Sequence, residues 1–392
     1  MHVRHKKGFD WLPEIKQIIN DTRAYSCLDC GKCTAACPIS QYDPDYSPRR
    51  VVSNALYGEE AQLLRNGQLW SCLTCSQCEE RCQSGVKYTE LIKLLRTEAH
   101  GLGETGQCTH GDALQSLMHI MTATHLNQNR LGWVDRSLKT AAQGETLYFV
   151  GCQPYFDVLF SDIGVKTTSI ARGAVKLLNH LDIVPALLPN ERCCGHDLLW
   201  AGDMEHFIKL AEHNIREIKR AGAKQVVTAC PECYLTLKVE YPRYIGSLGF
   251  DVVHISQLLA EKVASGQLRF RRLTQKVTYH DPCRLGRMSG IFDEPRAIIG
   301  AVPGLELVEM SRSRKSALCC GTQAWMNCGA VNKQIQAERL GEARATKADI
   351  LLTFCPKCQI HFRCAMHDSR LGDELKVEIE DVTSLAARAL SG

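Results

Sequence analysis

The segment QVVTACPEC at 225–233 has the pattern of a short apolar strand that leads into a cysteine pair, and it returns as ILLTFCPKC at 350–358. Two further landmarks repeat in the same order. The segment TLYFVGC at 146–152 matches KVTYHDPC at 276–283, and CCG at 193–195 matches CCG at 319–321. The offsets are 131 residues at the first cysteine, 126 at the double cysteine and 125 at CPxC. Near-constant offsets over three landmarks indicate an internal duplication.

Both copies alternate short strands with helices. In the first copy the pattern predicts strands at 146–150, 226–229 and 251–255. Apolar residues also recur at helical spacing over 204–218, with Asp203 placed to cap the start of this helix and Gly222 to end it. Such alternation is typical of α/β proteins. We therefore expect two pseudo-symmetric α/β modules, at 145–272 and 273–392.

Cysteine content is the most unusual feature of the chain. Its 392 residues are too many for one ordinary core, and 21 of them are cysteines. Eight lie in two tight runs, ten lie in two spaced sets of five, and three are left over. Disulfide frameworks are typical of short secreted chains, and this long chain lacks an N-terminal hydrophobic segment that could serve as an export signal. Regular spacing in a reducing compartment indicates metal sites.

The remaining composition is that of a soluble globular protein, with 45% hydrophobic and 23% charged residues. A net charge of +4 is too small to indicate nucleic-acid binding. We interpret the basic start as a solvated terminus or a partner contact, through His2, Arg4, His5, Lys6 and Lys7. No apolar run approaches the roughly 18 residues of a membrane helix. We therefore expect a cytoplasmic protein that could associate with a membrane only through a partner.

Two cysteine runs near the N-terminus have ferredoxin spacing. The first is Cys27-x2-Cys30-x2-Cys33-x3-Cys37 followed by Pro38, and the second is Cys72-x2-Cys75-x2-Cys78-x3-Cys82 followed by Gln83, where proline is usual. Three closely spaced cysteines hold one cubane [4Fe–4S] cluster, and the fourth ligates the other cluster. This rule assigns one cluster to Cys27, Cys30, Cys33 and Cys82, and the other to Cys72, Cys75, Cys78 and Cys37. Zinc is the alternative, but zinc sites normally use two CxxC pairs separated by a dozen or more residues.

Helical patterns surround these runs. We expect helices within 1–26, over 47–66 and over 88–100. Pro48 suits the first turn of the second of these helices. After a glycine-rich break, a stripe of Leu and Met predicts an amphipathic helix over 112–131 that packs against a neighbouring domain. The front of the chain is therefore expected to be an α-helical ferredoxin-type domain at 1–100, followed by a helical linker at 101–144.

Each duplicated module carries five cysteines. The first set is Cys152, Cys193, Cys194, Cys230 and Cys233, and the second is Cys283, Cys319, Cys320, Cys355 and Cys358. Several follow predicted strands, so each set should converge at one edge of its sheet, where α/β folds place their cofactors. Adjacent cysteines suit a larger cluster better than a tetrahedral zinc, and Gly195 and Gly321 would let the backbone approach closely. One zinc per set, or buried thiols, is the alternative.

These motifs resemble a known family. The duplicated pattern of a single cysteine, CCG and CPxC is similar to the B-type subunits of heterodisulfide reductases. The front, with SPRRVV at 47–52 and LWSCLTCSQCEERC at 69–82, is similar to their C-type subunits. The chain thus resembles a C–B fusion, which is the arrangement of the D-type subunit of membrane-linked heterodisulfide reductases. The resemblance covers about 27–385.

The resemblance implies that each five-cysteine set binds a noncubane [4Fe–4S] cluster, with all ten cysteines as ligands, and that a disulfide substrate is split between the two clusters. It implies an oxidoreductase acting on sulfur groups within a complex. Its electron donor would be a flavoprotein, such as a heterodisulfide reductase A-like subunit, or a membrane cytochrome subunit.

Two other functions remain open. A similar layout occurs in the iron–sulfur subunits of glycolate and anaerobic glycerol-3-phosphate dehydrogenases, which pass electrons towards quinone. Related subunits serve bifurcating complexes and the class II benzoyl-CoA reductase system. A pure electron-transfer subunit is therefore the second hypothesis, and a structural zinc scaffold is the third.

Polar residues flank the first cysteine of the second set. They are His280, Asp281, Arg284 and Arg287, next to Cys283. A cation there could hold an anionic substrate, as we expect of His280 and Arg284, or raise a cluster's potential. A strand-end salt bridge or a solvated arginine is the alternative.

Other residues near the motifs are given no chemical role. We interpret His196 and His361 as hydrogen-bonded core or rim histidines. The spare cysteines are interpreted as buried small side chains, and they are Cys108, Cys328 and Cys364. The sequence has no glycine-rich nucleotide fingerprint, so flavin or nicotinamide chemistry should belong to a partner.

Overall fold

A computed structural model describes residues 12–57, 60–65, 67–371 and 373–391. The described chain forms a helical N-terminal domain, a linker and two α/β modules, as the sequence indicates. The basic residues at 2–7 lie outside the described part, so their interpretation stays a prediction.

Short helices joined by loops make up the N-terminal domain. They span Leu12–Asp21 (α1), Lys32–Ala36 (α2), Pro38–Tyr42 (α3), Pro48–Tyr57 (α4), Glu60–Arg65 (α5) and Tyr88–Gly101 (α6). The helix predicted over 47–66 is described as two helices, with residues 58 and 59 outside the described part. Pro48 begins α4, where its missing N–H has no helical partner to lose. Leu91, Ile92 and Leu95 of α6 are fully buried and form the centre of this domain.

The linker is less helical than predicted. The helix expected over 112–131 is wrong beyond residue 120, because the structure has one helix at Ala113–Ile120 (α7) and turns after it. Met118 of the apolar stripe is buried, as predicted. The polar residues that follow make tertiary contacts instead of continuing the helix, and Arg130 forms a fully buried ion pair with Glu191. Tertiary contacts therefore override the local helical pattern.

Each module is built on a small parallel sheet. The first contains Thr146–Tyr148 (β1), Gln225–Thr228 (β2) and Asp251–His254 (β3), in that order. The second contains Gln275–His280 (β4), Leu305–Leu307 (β5), Ile350–Thr353 (β6) and Glu378–Asp381 (β7), in the order β5-β4-β6-β7. All neighbouring strands are parallel. Strands β1, β2 and β3 occupy the places of β4, β6 and β7, so the structure repeats as the sequence does, and β5 is an additional edge strand.

Helices connect the strands of both sheets. In the first module they are Gln153–Leu159 (α8), Thr168–His180 (α9), His196–Ala201 (α10), Met204–Arg220 (α11), Pro231–Leu235 (α12), Tyr241–Ile245 (α13) and Ile255–Ala264 (α14). In the second they are Asp293–Ala301 (α15), Ala330–Ala345 (α16), Pro356–Met366 (α17) and Val382–Arg388 (α18). Asp203 accepts a hydrogen bond at the start of α11 and Gly222 has a φ of 75° beyond its end, so both predicted boundaries are confirmed. None of the described helices is long and apolar enough to cross a membrane.

The N-terminal domain and the two α/β modules share a buried junction. Helix α18 packs on α9 and α15 packs on α14, which joins the two modules. Arg96 of α6 is fully buried and connects all three parts. Its guanidinium donates to the carbonyls of Leu69 and Cys72 in its own domain, to the Trp200 carbonyl (2.7 Å) and to Gln323 Oε1 (2.7 Å). The N-terminal domain is thus seated on both modules.

Candidate functional site

The eight cysteines of the N-terminal runs line two neighbouring cavities. The first is lined by Cys27, Cys30, Cys33 and Cys82, and also by Cys78. The second is lined by Cys37, Cys72, Cys75 and Cys78. The fourth cysteine of each run therefore lies with the first three of the other run, the grouping that crossed ligation requires. The ligation itself stays a prediction.

The two cavities differ in depth. Cys30 is exposed and the other three cysteines assigned to the first cluster are half-buried, whereas all four assigned to the second are buried. Leu28, which lines the first cavity, is exposed by 73%. Burial raises the pKa of Cys37, in the second cavity, to about 12. The first cavity thus lies nearer the surface, and the second is enclosed.

The first five-cysteine set forms a row of neighbouring thiols. Cys193 lies against Cys152 and Cys194, which together lower its pKa. Cys194 Sγ lies 3.5 Å from Cys233 Sγ, and Cys233 in turn lies beside Cys230. Cys152 follows β1 and Cys230 follows β2. The predicted convergence at one edge of the sheet is therefore observed.

The second set repeats this row. Cys319 lies between Cys283 and Cys320, Cys320 lies beside Cys358, and Cys358 lies beside Cys355. The order along the row is the same as in the first set. In the two sets together, only the first cysteine of each, Cys152 and Cys283, is half-buried, and the other eight are buried. The duplication is thus preserved at the level of individual thiols.

The first set suits an iron–sulfur cluster in three ways. Its five thiolates are the soft donors that such clusters use. A Cβ at Gly151 would come 2.9 Å from Cys233 Sγ, so only glycine fits this close to the sulfurs. Arg130 is fully buried, and its Nε and Nη1 groups have no partner among the described residues, although its charge acts on Cys152. Unpaired buried donors of this kind suit the sulfurs of a bound cluster.

The glycines of the CCG motifs also have a structural role that the sequence did not predict. Gly195 and Gly321 have φ values of 80° and 85°, which favour glycine. A Cβ at Gly195 would lie 2.9 Å from Phe207 of α11, and one at Gly321 would lie 2.9 Å from the Asn332 carbonyl of α16. These glycines therefore turn the chain and admit a helix. The Gly195 N–H also lies 3.4 Å from Cys193 Sγ, so the backbone comes close to sulfur at this glycine as well as at Gly151.

The second module contacts the enclosed cavity of the N-terminal domain. The Cys319 thiol lies beside Cys75 and lowers the pKa of Cys75 to about 6. Arg287 donates to the Cys75 carbonyl at 2.6 Å. Arg284 donates to the carbonyl and the hydroxyl of Thr74, at 2.6 and 2.7 Å. The loop that carries Cys75 is thus held directly against the second five-cysteine set.

A buried cluster of charges lies between the two five-cysteine sets. Lys357, in the second CPxC motif, donates to Glu232, in the first, at 2.7 Å and to Asp197 at 2.5 Å. Burial alone would raise the pKa of Asp197, but Lys357 and His196 hold it well below its usual range. Burial raises the pKa of Cys355 to about 11, and the nearby Cys230 adds to this shift. The two CPxC motifs therefore meet at the centre of the molecule.

The residues predicted near Cys283 are all engaged. Arg284 is buried, donates to His196 Nε2 at 3.1 Å and lies 4.2 Å from the Trp200 ring, so the alternative of a solvated or salt-bridged arginine is wrong for it. Asp281 forms a salt bridge with Arg296 at 2.8 Å. These contacts tie the neighbourhood of Cys283 to the rest of the fold.

The three histidines differ in their partners. His280 Nδ1 accepts from Arg339 at 3.1 Å, and burial lowers the pKa of His280 to about 3. His196 is buried and bonded to Asp197 at 2.9 Å, as interpreted. His361 is buried against Trp325, and its Nε2 atom has no partner in the described part of the chain.

The spare cysteines are half-buried, not buried as expected, and each lies beside a polar group. Cys364 accepts from Lys333 Nζ at 3.1 Å, and Cys328 accepts from the Thr322 hydroxyl at 3.6 Å. The Sγ of Cys108 lies 3.9 Å from the Gly106 carbonyl. None of these contacts involves the two cysteine sets.

Sequence reasoning missed the charged pair behind the first set. Glu191 accepts from the backbone N–H of Val150 and Gly151 and from Arg130, which also donates to the Gly151 carbonyl. Burial raises the pKa of Glu191 to about 7, although Arg130 opposes the shift. The pair fixes the turn before Cys152. No local pattern could have found it, because Arg130 and Glu191 are 61 residues apart.

Comparison with known proteins agrees with this architecture. Residues 146–238 and 277–363 match the cysteine-rich domain CCG, and residues 23–86 match a 4Fe-4S dicluster domain. The D-type subunit of the dihydromethanophenazine:CoB–CoM heterodisulfide reductase of Methanosarcina mazei is 32% identical, with 93% of each chain covered. The B-type subunit of the fumarate reductase (CoM/CoB) of Methanothermobacter marburgensis is 27% identical over 92% of this chain and 72% of its own.

A further relative shares a smaller region. The EtfAB:quinone oxidoreductase of Syntrophomonas wolfei is 30% identical over 58% of this chain and 34% of its own length. All three relatives are oxidoreductases or their subunits by name. With two CCG modules, a dicluster domain and a relative matched along nearly its whole length, the chain belongs to the family of heterodisulfide reductase D-type subunits and is an iron–sulfur protein with a redox role.

Proposed function

We propose that this chain takes electrons from a partner flavoprotein or cytochrome subunit and delivers them to a disulfide bound between its two five-cysteine sets. One observation carries this proposal: the cysteine groups form a continuous series. Cys30 of the first N-terminal group is exposed, Cys75 of the second contacts Cys319, and Cys355 of the second set lies near Cys230 of the first. The series leads from the surface to the junction of the two modules.

The arrangement of the chain suits a two-electron reduction. Cleaving a disulfide takes two electrons and two protons and gives two thiols. Bound iron–sulfur clusters would supply these electrons one at a time. Two facing sets place a donor on each side of one S–S bond. The protein contributes the position of the two sets and a largely dry junction, since eight of the ten cysteines are buried.

Cations favour negative charge at both sets. The charge of Arg130 acts on Cys152, and the charges of Arg284 and Arg287 act on Cys283. Arginine near a thiolate cluster favours its more negative, reduced state. The Arg284 guanidinium donates hydrogen bonds to Thr74 and to His196. Of the two roles considered from the sequence, an effect on the cluster therefore suits Arg284 better than holding a substrate.

A pure electron-transfer subunit is the second candidate, because relatives carry names that refer to fumarate reduction and to quinone. The two functions are separated by anaerobic assays with a reduced viologen as donor and a panel of small disulfides as acceptors. Two thiols formed per disulfide consumed is the result that our proposal requires. Transfer to a quinone with every disulfide left intact would favour the second candidate.

Metal content provides a direct test of the cofactors. Protein purified without oxygen should contain about 16 iron atoms per chain, four for each of four [4Fe–4S] clusters. Iron and acid-labile sulfide analysis gives this number. A value near half of it, with complete cubane signals, would rule out clusters at the CCG sets, and zinc in place of iron would support the scaffold hypothesis.

The crossed grouping of the N-terminal cysteines predicts the effect of Cys37→Ser. Cys37 lines the cavity of Cys72, Cys75 and Cys78, so its loss should disturb the enclosed cluster and spare the surface one. Paramagnetic resonance of the two reduced clusters measures this, with Cys82→Ser as the matched variant for the surface cluster. Selective loss of the surface cluster in Cys37→Ser would contradict crossed ligation.

A further inference from the structure

We propose that His119, Asp203 and His206 form a binding site for one divalent transition-metal ion of the zinc class, outside the cysteine series. Their ligand atoms all lie within 4.8 Å of one another. His119 belongs to the last turn of α7, Asp203 caps α11 and His206 lies in the first turn of α11. The site would therefore join the linker to the first CCG module.

The three side chains point towards a common centre. His119 Nε2 and His206 Nδ1 each lie 2.8 Å from the same oxygen, Oδ2 of Asp203. The centroids of the two imidazole rings lie 4.3 Å apart, with an angle of 35° between the ring planes. A tetrahedral zinc with bonds of about 2.0–2.2 Å holds its ligand atoms about 3.3 Å apart. If the three groups moved slightly apart, a zinc ion would therefore fit between them.

Burial and exposure also suit a metal site. The Asp203 side chain is only 5% exposed and is fixed by a hydrogen bond from the His206 backbone N–H, so the carboxylate is positioned in advance. The His119 and His206 side chains are 46% and 30% exposed, which leaves the fourth coordination position open to water. Two imidazoles and one carboxylate select the zinc class over magnesium or calcium, which prefer oxygen ligands.

Local charge permits a cation at this end of α11. The N-terminus of a helix carries partial positive charge, which disfavours a bound cation. Asp203 lies at this terminus, and Glu205 lies close enough to His206 for the histidine charge to act on it. The Asp203 carboxylate offsets the helix dipole, whereas Glu205 is already paired with Lys209 at 2.6 Å.

A bound ion would support the first CCG motif. Met121, two residues beyond His119, accepts a hydrogen bond from the Cys193 N–H at its sulfur (3.3 Å) and one from Arg192 at its carbonyl (3.3 Å). Fixing His119 to α11 would therefore fix the turn against which Cys193 lies. The ion would have a structural role and would not carry electrons.

Zinc titration of the full, iron-loaded chain tests the proposal. After treatment with a chelator and dialysis against micromolar zinc, we expect one zinc per chain with no loss of iron. X-ray absorption at the zinc edge should show nitrogen and oxygen ligands. His119→Ala and His206→Ala should each weaken zinc binding at least about tenfold, since even outer partners of a ligand are worth that much.

Replacing the exposed His180, at the end of α9, provides the matched control and should leave zinc binding unchanged. Sulfur ligands at the zinc edge, or iron released as zinc binds, would place the zinc at the cysteines and overturn the proposal. Zinc affinity unchanged in both histidine variants would overturn it as well, as would the absence of zinc binding by the intact chain.

Discussion

Replacing Cys320 by serine is expected to abolish disulfide reduction and to stop electrons from reaching the first five-cysteine set. Cys320 lies inside its row of thiols, beside Cys319 and Cys358, and a serine oxygen is a poorer ligand for iron than a thiolate. Because Cys319 also contacts Cys75, the second set lies next to the N-terminal clusters. Disulfide reduction should fall by more than about 10-fold to 100-fold, the loss that follows when a residue that only supports a metal ligand is replaced.

Cys194→Ser should have a different signature. Cys194 has the same place in the first set as Cys320 has in the second. We infer that the first set is the last group that the electrons reach. Disulfide reduction should again be lost, but the second set should stay reducible. Stepwise anaerobic reduction, followed by paramagnetic resonance and iron analysis, distinguishes the two variants. Cys364→Ser, on the same helix as Cys358, provides the control and should keep full activity, because its thiol contacts Lys333 and no cysteine set.

Three outcomes would change this account. Substantial disulfide reduction by Cys320→Ser would mean that the second set is not part of the catalytic centre. Equal reducibility of the first set in both variants would contradict the order of the series. A wild-type protein that reduces no disulfide yet passes electrons to a partner would favour the electron-transfer hypothesis.

The repeated elements were predictable because their signals are local. Each strand and its CPxC motif occupy fewer than ten consecutive residues, and β2 lies within one residue of its predicted place. The helix from Met204 also carries its own start and stop residues. The cysteine spacing indicated the two kinds of site for the same reason. A pattern contained in a short segment predicts the local structure well, because it does not depend on residues that are distant in the sequence.

The parts that failed depend on distant partners. The linker pattern predicts a long helix, but Arg130 is drawn to Glu191 and the helix ends at Ile120. Which CCG set lies beside the N-terminal clusters depends on contacts such as Arg284 with Thr74, which are 210 residues apart. No spacing rule contains that information. One distant contact did have a readable signal, because the middle residues of the two CPxC motifs, Glu232 and Lys357, carry opposite charges.

That pair lies where the two CPxC motifs meet. Lys357 and its two carboxylate partners are largely buried, and the Lys357 ammonium also lies 4.9 Å from the Trp325 ring. Lys357 and Trp325 come from the second module, whereas Asp197 and Glu232 come from the first. The cluster therefore holds the two CPxC motifs together. Lys357 supplies its ammonium charge, and His196 Nδ1 also lies 2.9 Å from Asp197 and 3.5 Å from Glu232.

Lys357→Met should destabilise the protein strongly, because it leaves Asp197 and Glu232 buried without the lysine ammonium, with His196 as the partner they still share. Removing one partner of a buried ion pair costs about 3–5 kcal/mol, which corresponds to a fall in Tm of roughly 10 °C for a domain pair of this size. Calorimetry at a fixed scan rate under anaerobic conditions measures it, since cluster loss makes unfolding irreversible. Adding Asp197→Asn and Glu232→Gln should restore much of the Tm. Lys209→Met, which breaks an exposed pair with Glu205, should change it little. If the Tm of Lys357→Met equals that of the wild-type protein, the charge cluster does not hold the modules together.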